Sequence, residues 1–193
     1  FGELLGLALA EAWRAQGAPA PFRLVELGPG TGALMADLWR ATAIVPGFHA
    51  AARLHVVERS ERLRARQAAA LDGAATPSFH AAVAELPAGP LFVVANEFLD
   101  ALAVHQLVRR GGGWFERRVG LDHEGRPAWV EKPSPAALAG EAERRFAGAE
   151  EGAVAELSPA RRALVSELAT RIAADGGQAL FVDYGAIART PVD

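Results

Sequence analysis

Four acids and an amide stand where an α/β chain places its chemistry, inside or just after runs that suit buried strands. Glu26 lies within Leu24-Val25-Glu26-Leu27, two residues before the loop Gly28-Pro29-Gly30-Thr31-Gly32. Glu58 closes the run Leu54-His55-Val56-Val57, and Asn96, Glu97 and Asp100 follow the unbroken apolar run Leu91-Phe92-Val93-Val94-Ala95. Ligands of open α/β sheets bind beyond the carboxyl ends of the strands. Asn96, Glu97 and Asp100 are therefore the candidates for catalysis. Glycines spaced by two let backbone approach a ligand closely. The helix that starts after them turns its free N–H groups towards whatever sits over the turn. Gly28, Gly30, Thr31 and Gly32 are read as a cradle for a small molecule with a polar or anionic part. A carboxylate at the end of a second strand can accept from two ribose hydroxyls at once, which is the reading for Glu58. A carboxylate inside a strand is costly unless something uses it, so Glu26 is read as a further cofactor contact.

The glycines alone admit two kinds of nucleotide site. Gly28, Gly30 and Ala33 satisfy the dinucleotide fingerprint G-x-G-x-x-G/A. Two features disagree with a dinucleotide. Strands of that type are usually apolar where Glu26 stands, and Glu58 lies farther from the last glycine than the ~20 residues of the pattern.

The spacing also gives the elements that position these residues. Leu5, Leu9, Ala12 and Trp13 share one helical face over residues 1–16, ended by Gly17-Ala18-Pro19-Ala20-Pro21. Leu34, Met35, Leu38 and Trp39 predict a helix from the glycine loop to about Thr42. Ser60 is a natural N-cap for a helix over 61–71, with Leu63, Ala70 and Leu71 inside. Residues 77–80 suit a brief third strand. Residues 80–84 lie where such folds hold an adenine, although nothing in them specifies that contact, and His80 is read as structural.

After the fourth strand the pattern changes. Residues 104–110, 114–120 and 128–131 read as strands, with Gly111-Gly112-Gly113 and Asp122-His123-Glu124-Gly125 as turns. This predicts an inserted antiparallel meander, in which Trp114 and Trp129 serve packing. Residues 132–152 are rich in proline, alanine and acid and read as a surface excursion, with a short amphipathic piece at 141–146. Ser158 and Pro159 suit the start of a helix whose buried stripe is Leu164, Leu168 and Ile172. Residues 179–182 predict a fifth buried strand that ends in Asp183-Tyr184-Gly185.

The chain has 193 residues, 51% of them apolar, enough for one globular domain with a full core. A net charge of −3 without a basic tract argues against nucleic acid as the main partner. The absence of cysteine excludes a disulfide framework and a thiolate zinc site, and no metal is expected. No apolar run reaches the ~18 residues of a spanning helix. The chain opens on Phe1 rather than Met and closes on Asp193 just after a loop, and it is read as a piece of a longer protein.

Acid-x-G-x-G-x-G, as in Glu26 to Gly32, resembles motif I of class I S-adenosylmethionine (SAM) methyltransferases, in which the acid orders the loop and the ammonium end of the cofactor. The order of four blocks is more specific. Val25-Glu26-Leu27-Gly28-Pro29-Gly30-Thr31-Gly32, Asn96-Glu97-Phe98-Leu99-Asp100-Ala101-Leu102, Glu156-Leu157-Ser158-Pro159 and Asp183-Tyr184-Gly185 together resemble the MidA family. The resemblance runs from Phe1-Gly2-Glu3 across nearly the whole chain. It differs at Ala103, where members usually have proline. It also lacks the family's upstream segment, with its Gly-Asp-Phe and Thr-x-x-Glu-Ile-Ser pattern, and the family's last strands.

The resemblance implies a Rossmann-like class I fold, read as a single domain over 1–193 with an antiparallel insert at 103–152. It implies SAM as cofactor and a protein arginine as methyl acceptor. The mitochondrial member of the family methylates a respiratory complex I subunit and supports that complex's assembly. The compartment would be the mitochondrial matrix for a eukaryotic chain and the cytoplasm for a bacterial one. Glu97, then Asp100, would pair with the substrate guanidinium, while Glu26 and Glu58 hold the cofactor. Two other readings stay open on the residues: an NAD-linked oxidoreductase using the same loop, and a SAM-binding assembly factor without catalysis.

Overall fold

The computed structural model describes residues 1–184, and these hold nine strands and six α-helices. In chain order they are α1 (Gly2–Ala15), β1 (Phe22–Leu27), α2 (Ala33–Thr42), α3 (Phe48–Ala51), β2 (Ala52–Val57), α4 (Glu61–Ala70), β3 (Ser78–His80), β4 (Leu91–Asn96), β5 (His105–Arg110), β6 (Gly113–Leu121), β7 (Pro127–Pro133), α5 (Ala136–Arg145), β8 (Val154–Leu157), α6 (Pro159–Asp175) and β9 (Gly177–Val182). They fall into two compact units, one of residues 1–101 and 163–184, the other of residues 102–162.

The first unit is built on a parallel sheet of order β3-β2-β1-β4-β9. Its central strands are apolar almost throughout because both faces are covered, as parallel sheets require. Alternate residues serve the two faces. Phe22 and Leu24 of β1 pack with Leu9, Trp13, Met35, Leu38 and Phe48. Val25 and Leu27 pack with Val83, Leu86 and Leu168. Phe22 is the hub of the first cluster, with ring centroids of Phe48, Phe92 and Trp13 at 5.0, 5.3 and 5.7 Å. The predicted faces of α1 and α2 hold, with one addition. Gly2 and Gly6 are buried against α2, and a Cβ on Gly6 would stand 2.9 Å from the Leu38 side chain, so glycine lets the two helices meet.

Strand β9 differs from its prediction. It pairs with β4 alone among the described strands and is only partly buried, so it forms an edge of the sheet rather than a buried strand. Leu168 of α6 is buried beneath it and Leu164 and Ile172 flank that contact, as the stripe predicts. Gly185, the last residue of the third block's successor Asp183-Tyr184-Gly185, lies outside the described residues.

The second unit is an antiparallel sheet of order β7-β6-β5-β8. The three-stranded meander is present, and β8 adds a fourth strand through pairs such as His105 with Leu157. Because β8 belongs to it, this unit extends to residue 162 rather than stopping near 152. The excursion is in part the helix α5, which buries Ala142 with Leu107, Trp114, Ala155 and Leu157. Trp114 packs as predicted and donates from its indole Nε1 to Glu143 at 3.0 Å. Trp129 does not: it is 68% exposed on the outer strand β7, with the Arg117 guanidinium 5.9 Å from its ring centroid. No helix among the described residues is long and apolar enough to cross a membrane.

Candidate functional site

The register of the parallel sheet aligns the carboxyl ends of its middle strands. Leu27 pairs with Val57 on one side and Ala95 on the other. Gly28, Glu58 and Asn96 therefore leave the sheet along one edge. With neighbouring strands ~4.8 Å apart, the exits of β2 and β4 lie roughly 10 Å apart across the glycine loop. From β1 the chain steps outwards to β2 and β3, then returns to β4 on the opposite side. The crevice at such a reversal is where open α/β sheets hold ligands.

Three glycines of the loop have positive φ: +60° at Gly28, +57° at Gly30 and +86° at Gly32. They use their missing Cβ differently. At Gly28 a Cβ would stand 2.5 Å from the Phe98 ring, so the segment after β4 closes on the loop. At Gly32 it would meet the Gln67 backbone at 3.0 Å, which is what brings α4 against the loop. At Gly30 nothing among the described residues lies within 4 Å. Gly30 is thus the open crest, with exposed Thr31 beside it and the first turn of α2 behind. Of the three, only Gly30 offers room to a ligand; the space at the other two is taken by protein.

Glu26 is 2% exposed, on the β1 face that carries Met35. Burial pushes its carboxyl from 4.5 up to about 8, partly offset by the Met35 backbone N–H. Its Oε2 is buried with no hydrogen-bond partner among the described residues. In the protein alone this residue is a neutral acid at neutral pH. A cation brought beside it would draw the proton away and supply the missing partner.

Glu58 is half-buried and held from two sides. Its Oε1 accepts from the Ser60 N–H at 2.7 Å, and its Oε2 accepts from Gln67 Nε2 at 3.3 Å. A carboxylate has about four lone-pair positions, so two remain for hydroxyls. The Glu58 carbonyl accepts from Arg64 Nε at 2.7 Å, which ties the strand end to α4. Ser60 caps that helix by accepting from the Leu63 N–H, as the sequence predicts.

At the exit of β4, Asn96 is partly buried while Glu97 and Asp100 are exposed. Glu97 has φ +53°, a left-handed conformation that costs a non-glycine residue ~1–2 kcal/mol. Its N–H bonds to the Val182 carbonyl at 2.8 Å, which extends the β4–β9 ladder by one rung and holds the strained backbone in place. Asp183 Oδ2 accepts from the Leu99 N–H at 3.1 Å and orders the turn that carries Asp100.

Two contacts escaped the sequence reading. Gln67 is fully buried on an otherwise polar, exposed helix, where the apolar stripe of α4 was expected to include Ala70, which is exposed. The available signal was its position midway between Leu63 and Leu71, four residues from each, on the same helical face. Phe98 was read only as part of a motif, and its closure on Gly28 required coordinates. His80 is structural as expected: its Nε2 lies 2.9 Å from His55 Nδ1. His55 is pushed down to about 4 by burial and by the neighbouring His80 and Arg23.

A parallel sheet that reverses direction beside a glycine loop, with acids within or at the ends of β1, β2 and β4, defines a Rossmann-like nucleoside-binding domain. A family model described as "Putative S-adenosyl-L-methionine-dependent methyltransferase" matches residues 4–192. The chain belongs to that family, as the order of its motifs implied. The mitochondrial protein arginine methyltransferase NDUFAF7 of Danio rerio is 32% identical over 209 residues, covering 96% of this chain and 49% of that protein. The protein of the same name in Homo sapiens is 32% identical over 210 residues, covering 96% and 47%. A crystal structure from Burkholderia thailandensis bound to S-adenosyl-homocysteine (SAH) matches with a TM-score of 0.74 and 30% identity, covering 96% of this chain and 47% of that one. The chain thus spans about half the length of the relatives that it matches.

Proposed function

We propose that this chain carries the cofactor site and the catalytic edge of a SAM-dependent protein-arginine methyltransferase. Its acceptor would be a subunit of respiratory complex I or of a bacterial equivalent. The observation that carries the catalytic part is the strained Glu97 at the carboxyl end of β4, beside the glycine loop. Strain of this kind persists where the surroundings enforce it, and it clusters at working sites. The arginine acceptor is supported by the names of the relatives. The same names support a mitochondrial location for a eukaryotic chain, for which the matrix is our reading, with the cytoplasm as the counterpart for a bacterial one.

The residues present fit the cofactor. The open crest at Gly30 and Thr31 admits it, with Gly28 and Gly32 shaping the loop. The orphaned oxygen of Glu26 awaits an ammonium group, and Glu58 keeps two lone pairs for ribose hydroxyls. SAM would supply the methyl group from its sulfonium, and the neutral thioether of SAH leaves without help from a metal. The rest is positioning, which suits a direct displacement. A guanidinium is planar and shares its charge over three nitrogens. Glu97 pairs with one side of it, keeps charge there and leaves a nitrogen on the other side nucleophilic; the N–H proton displaced as the N–CH3 bond forms passes to solvent at this exposed edge. Asn96 orients the strand end, and Asp100 offers a second carboxylate to the same group. The two units act here as one methyltransferase domain.

The test is labelled SAM incubated with the full-length protein and an extract of its source, followed by mass spectrometry of the labelled residue. Methylated arginine is the expected product. Label on another residue type would overturn the acceptor. SAM binding without transfer to any protein would leave an assembly factor instead.

A further inference from the structure

We infer that Gln67 is a positioning residue of the cofactor pocket, a clamp that sets the glycine loop and Glu58 relative to each other. The inference rests on the SAM reading above and concerns a residue to which that reading gives no role. Gln67 is fully buried, and its Nε2 donates at once to the Gly30 carbonyl at 2.9 Å and to Glu58 Oε2 at 3.3 Å. One amide thus joins the open crest of the loop to the acid at the end of β2.

The two bonds have separate consequences. A trans peptide sets its C=O and N–H on opposite sides. With the Gly30 oxygen turned in towards α4, the Thr31 N–H must point away from α4, off the crest. The bond to Oε2, opposite the Ser60 N–H bond to Oε1, fixes the plane of the Glu58 carboxylate. A carboxylate so fixed has lost its rotamer freedom before any hydroxyl arrives, which is preorganisation. The cost is visible in the same side chain. Gln67 Oε1 is buried with no partner among the described residues, a loss that an apolar residue of similar size would avoid. A purely structural role would favour that apolar residue. The neighbouring glycine agrees: Gly32 lacks the Cβ that would push the Gln67 backbone away.

The experiment measures binding of SAH, and of its 2′-deoxyribose analogue, to the full-length wild-type protein and to its Gln67→Leu and Gln67→Glu variants. Gln67→Leu fills the space without the two bonds. It should fold with a Tm near that of the wild type, bind SAH ~10-fold more weakly, the scale of a hydrogen bond to a charged group, and lose a similar factor of discrimination against the deoxy analogue. Gln67→Glu sets two carboxyl groups against each other. They can share a proton at low pH and repel at high pH. Its Kd for SAH relative to the wild type should therefore rise ~10-fold between about pH 5.5 and about pH 8, a profile that a packing defect does not produce. A folded Gln67→Leu with unchanged affinity and unchanged discrimination overturns the inference. Should Gln67→Leu fail to fold, a Gln67→Glu deficit that is the same at both pH values overturns it. A wild type that binds SAH while both variants match it removes the clamp alone. A wild type that does not bind SAH removes the cofactor reading and the clamp with it.

Discussion

Replacing Glu26 by glutamine should make the protein more stable at high pH and worse at its task. The buried carboxyl titrates at about 8 when folded, against an ordinary value of 4.5. The folded state therefore keeps a proton that the unfolded chain has already released. The stability contribution is full below the unfolded value and is lost as pH rises through the folded one. Each pH unit between the two costs ~1.4 kcal/mol. The loss reaches about 3 kcal/mol near pH 7 and levels off at about 5 kcal/mol above pH 8. Glu26→Gln has no proton to lose. Urea unfolding from about pH 5 to about pH 8 should show the variant gaining on the wild type by ~1.4 kcal/mol per unit. Other titrating groups, His55 among them, cancel in the difference between the two proteins when they lie apart from the substitution. Binding adds a second arm. An ammonium seated at the orphaned Oε2 draws the proton off, so near pH 6.5 SAH binding should release more protons from the wild type than from Glu26→Gln. Calorimetry in buffers of different ionisation enthalpy counts them. A stability difference that is flat with pH would refute the claim that Glu26 is buried and neutral. Equal proton release from both proteins would refute its pairing with the cofactor.

Gly30→Val should abolish SAM binding with little loss of native circular dichroism: a Cβ at the crest meets no described protein atom within 4 Å, while the branched side chain blocks the ligand and resists the φ of +57° that the loop holds. Unchanged affinity in the folded variant would remove the loop from the cofactor site. Glu58→Ala should weaken SAM by ~1.5–3 kcal/mol and the deoxyribose analogue by less; equal losses would show that Glu58 does not read the ribose. In the full-length protein, Glu97→Gln should keep SAM binding and lose ~10²-fold or more in methyl transfer, with a smaller loss for Asp100→Asn. Glu97→Gly should unfold at an equal or higher urea concentration, since glycine relieves up to ~1–2 kcal/mol of left-handed strain, yet transfer should fall as in Glu97→Gln. A transfer rate that survives both changes would reduce Glu97 to an edge residue.

Much of this site was legible before any coordinates because it sits where patterns are strongest. Runs such as Leu91 to Ala95 admit a buried strand and little else, and a residue that follows such a run leaves the sheet at a known edge. Glu58, Asn96 and Glu97 were placed by that rule alone. Ser60 and Ser158 were found as caps because a cap is a local contract between a hydroxyl and an N–H three residues on. What escaped was non-local. Gln67 interrupts an apolar stripe, and composition gave no reason to bury it; the partners that justify its burial lie nine and 37 positions away. Strand β8 is four residues long, and its pairing with β5 reaches across 50 residues from Gln106 to Glu156. Trp129 was misread because aromatic content signals a contact without saying whether that contact lies in the core or, as here, with a guanidinium on an exposed strand. The left-handed backbone of Glu97 has no sequence signature, since glutamate is not a residue that favours it.

The place of β9 in the sheet bears on how the chain comes to fold. Its partner β4 ends at Asn96, while β9 begins at Gly177. During synthesis β1 to β4 emerge first and can pair at once, whereas the outer edge of β4 must wait for the whole second unit and α6. At ~5–20 residues per second that interval lasts seconds. Through it, five apolar residues, Leu91 to Ala95, form an unpaired sheet margin, the kind of margin that recruits a strand from another molecule. The second unit can fold meanwhile from near neighbours, since β5, β6 and β7 are joined by short turns. Low expression temperature or a holding chaperone should therefore raise the soluble yield, and a chain cut before β9 should go to inclusion bodies even though every residue of the glycine loop is intact.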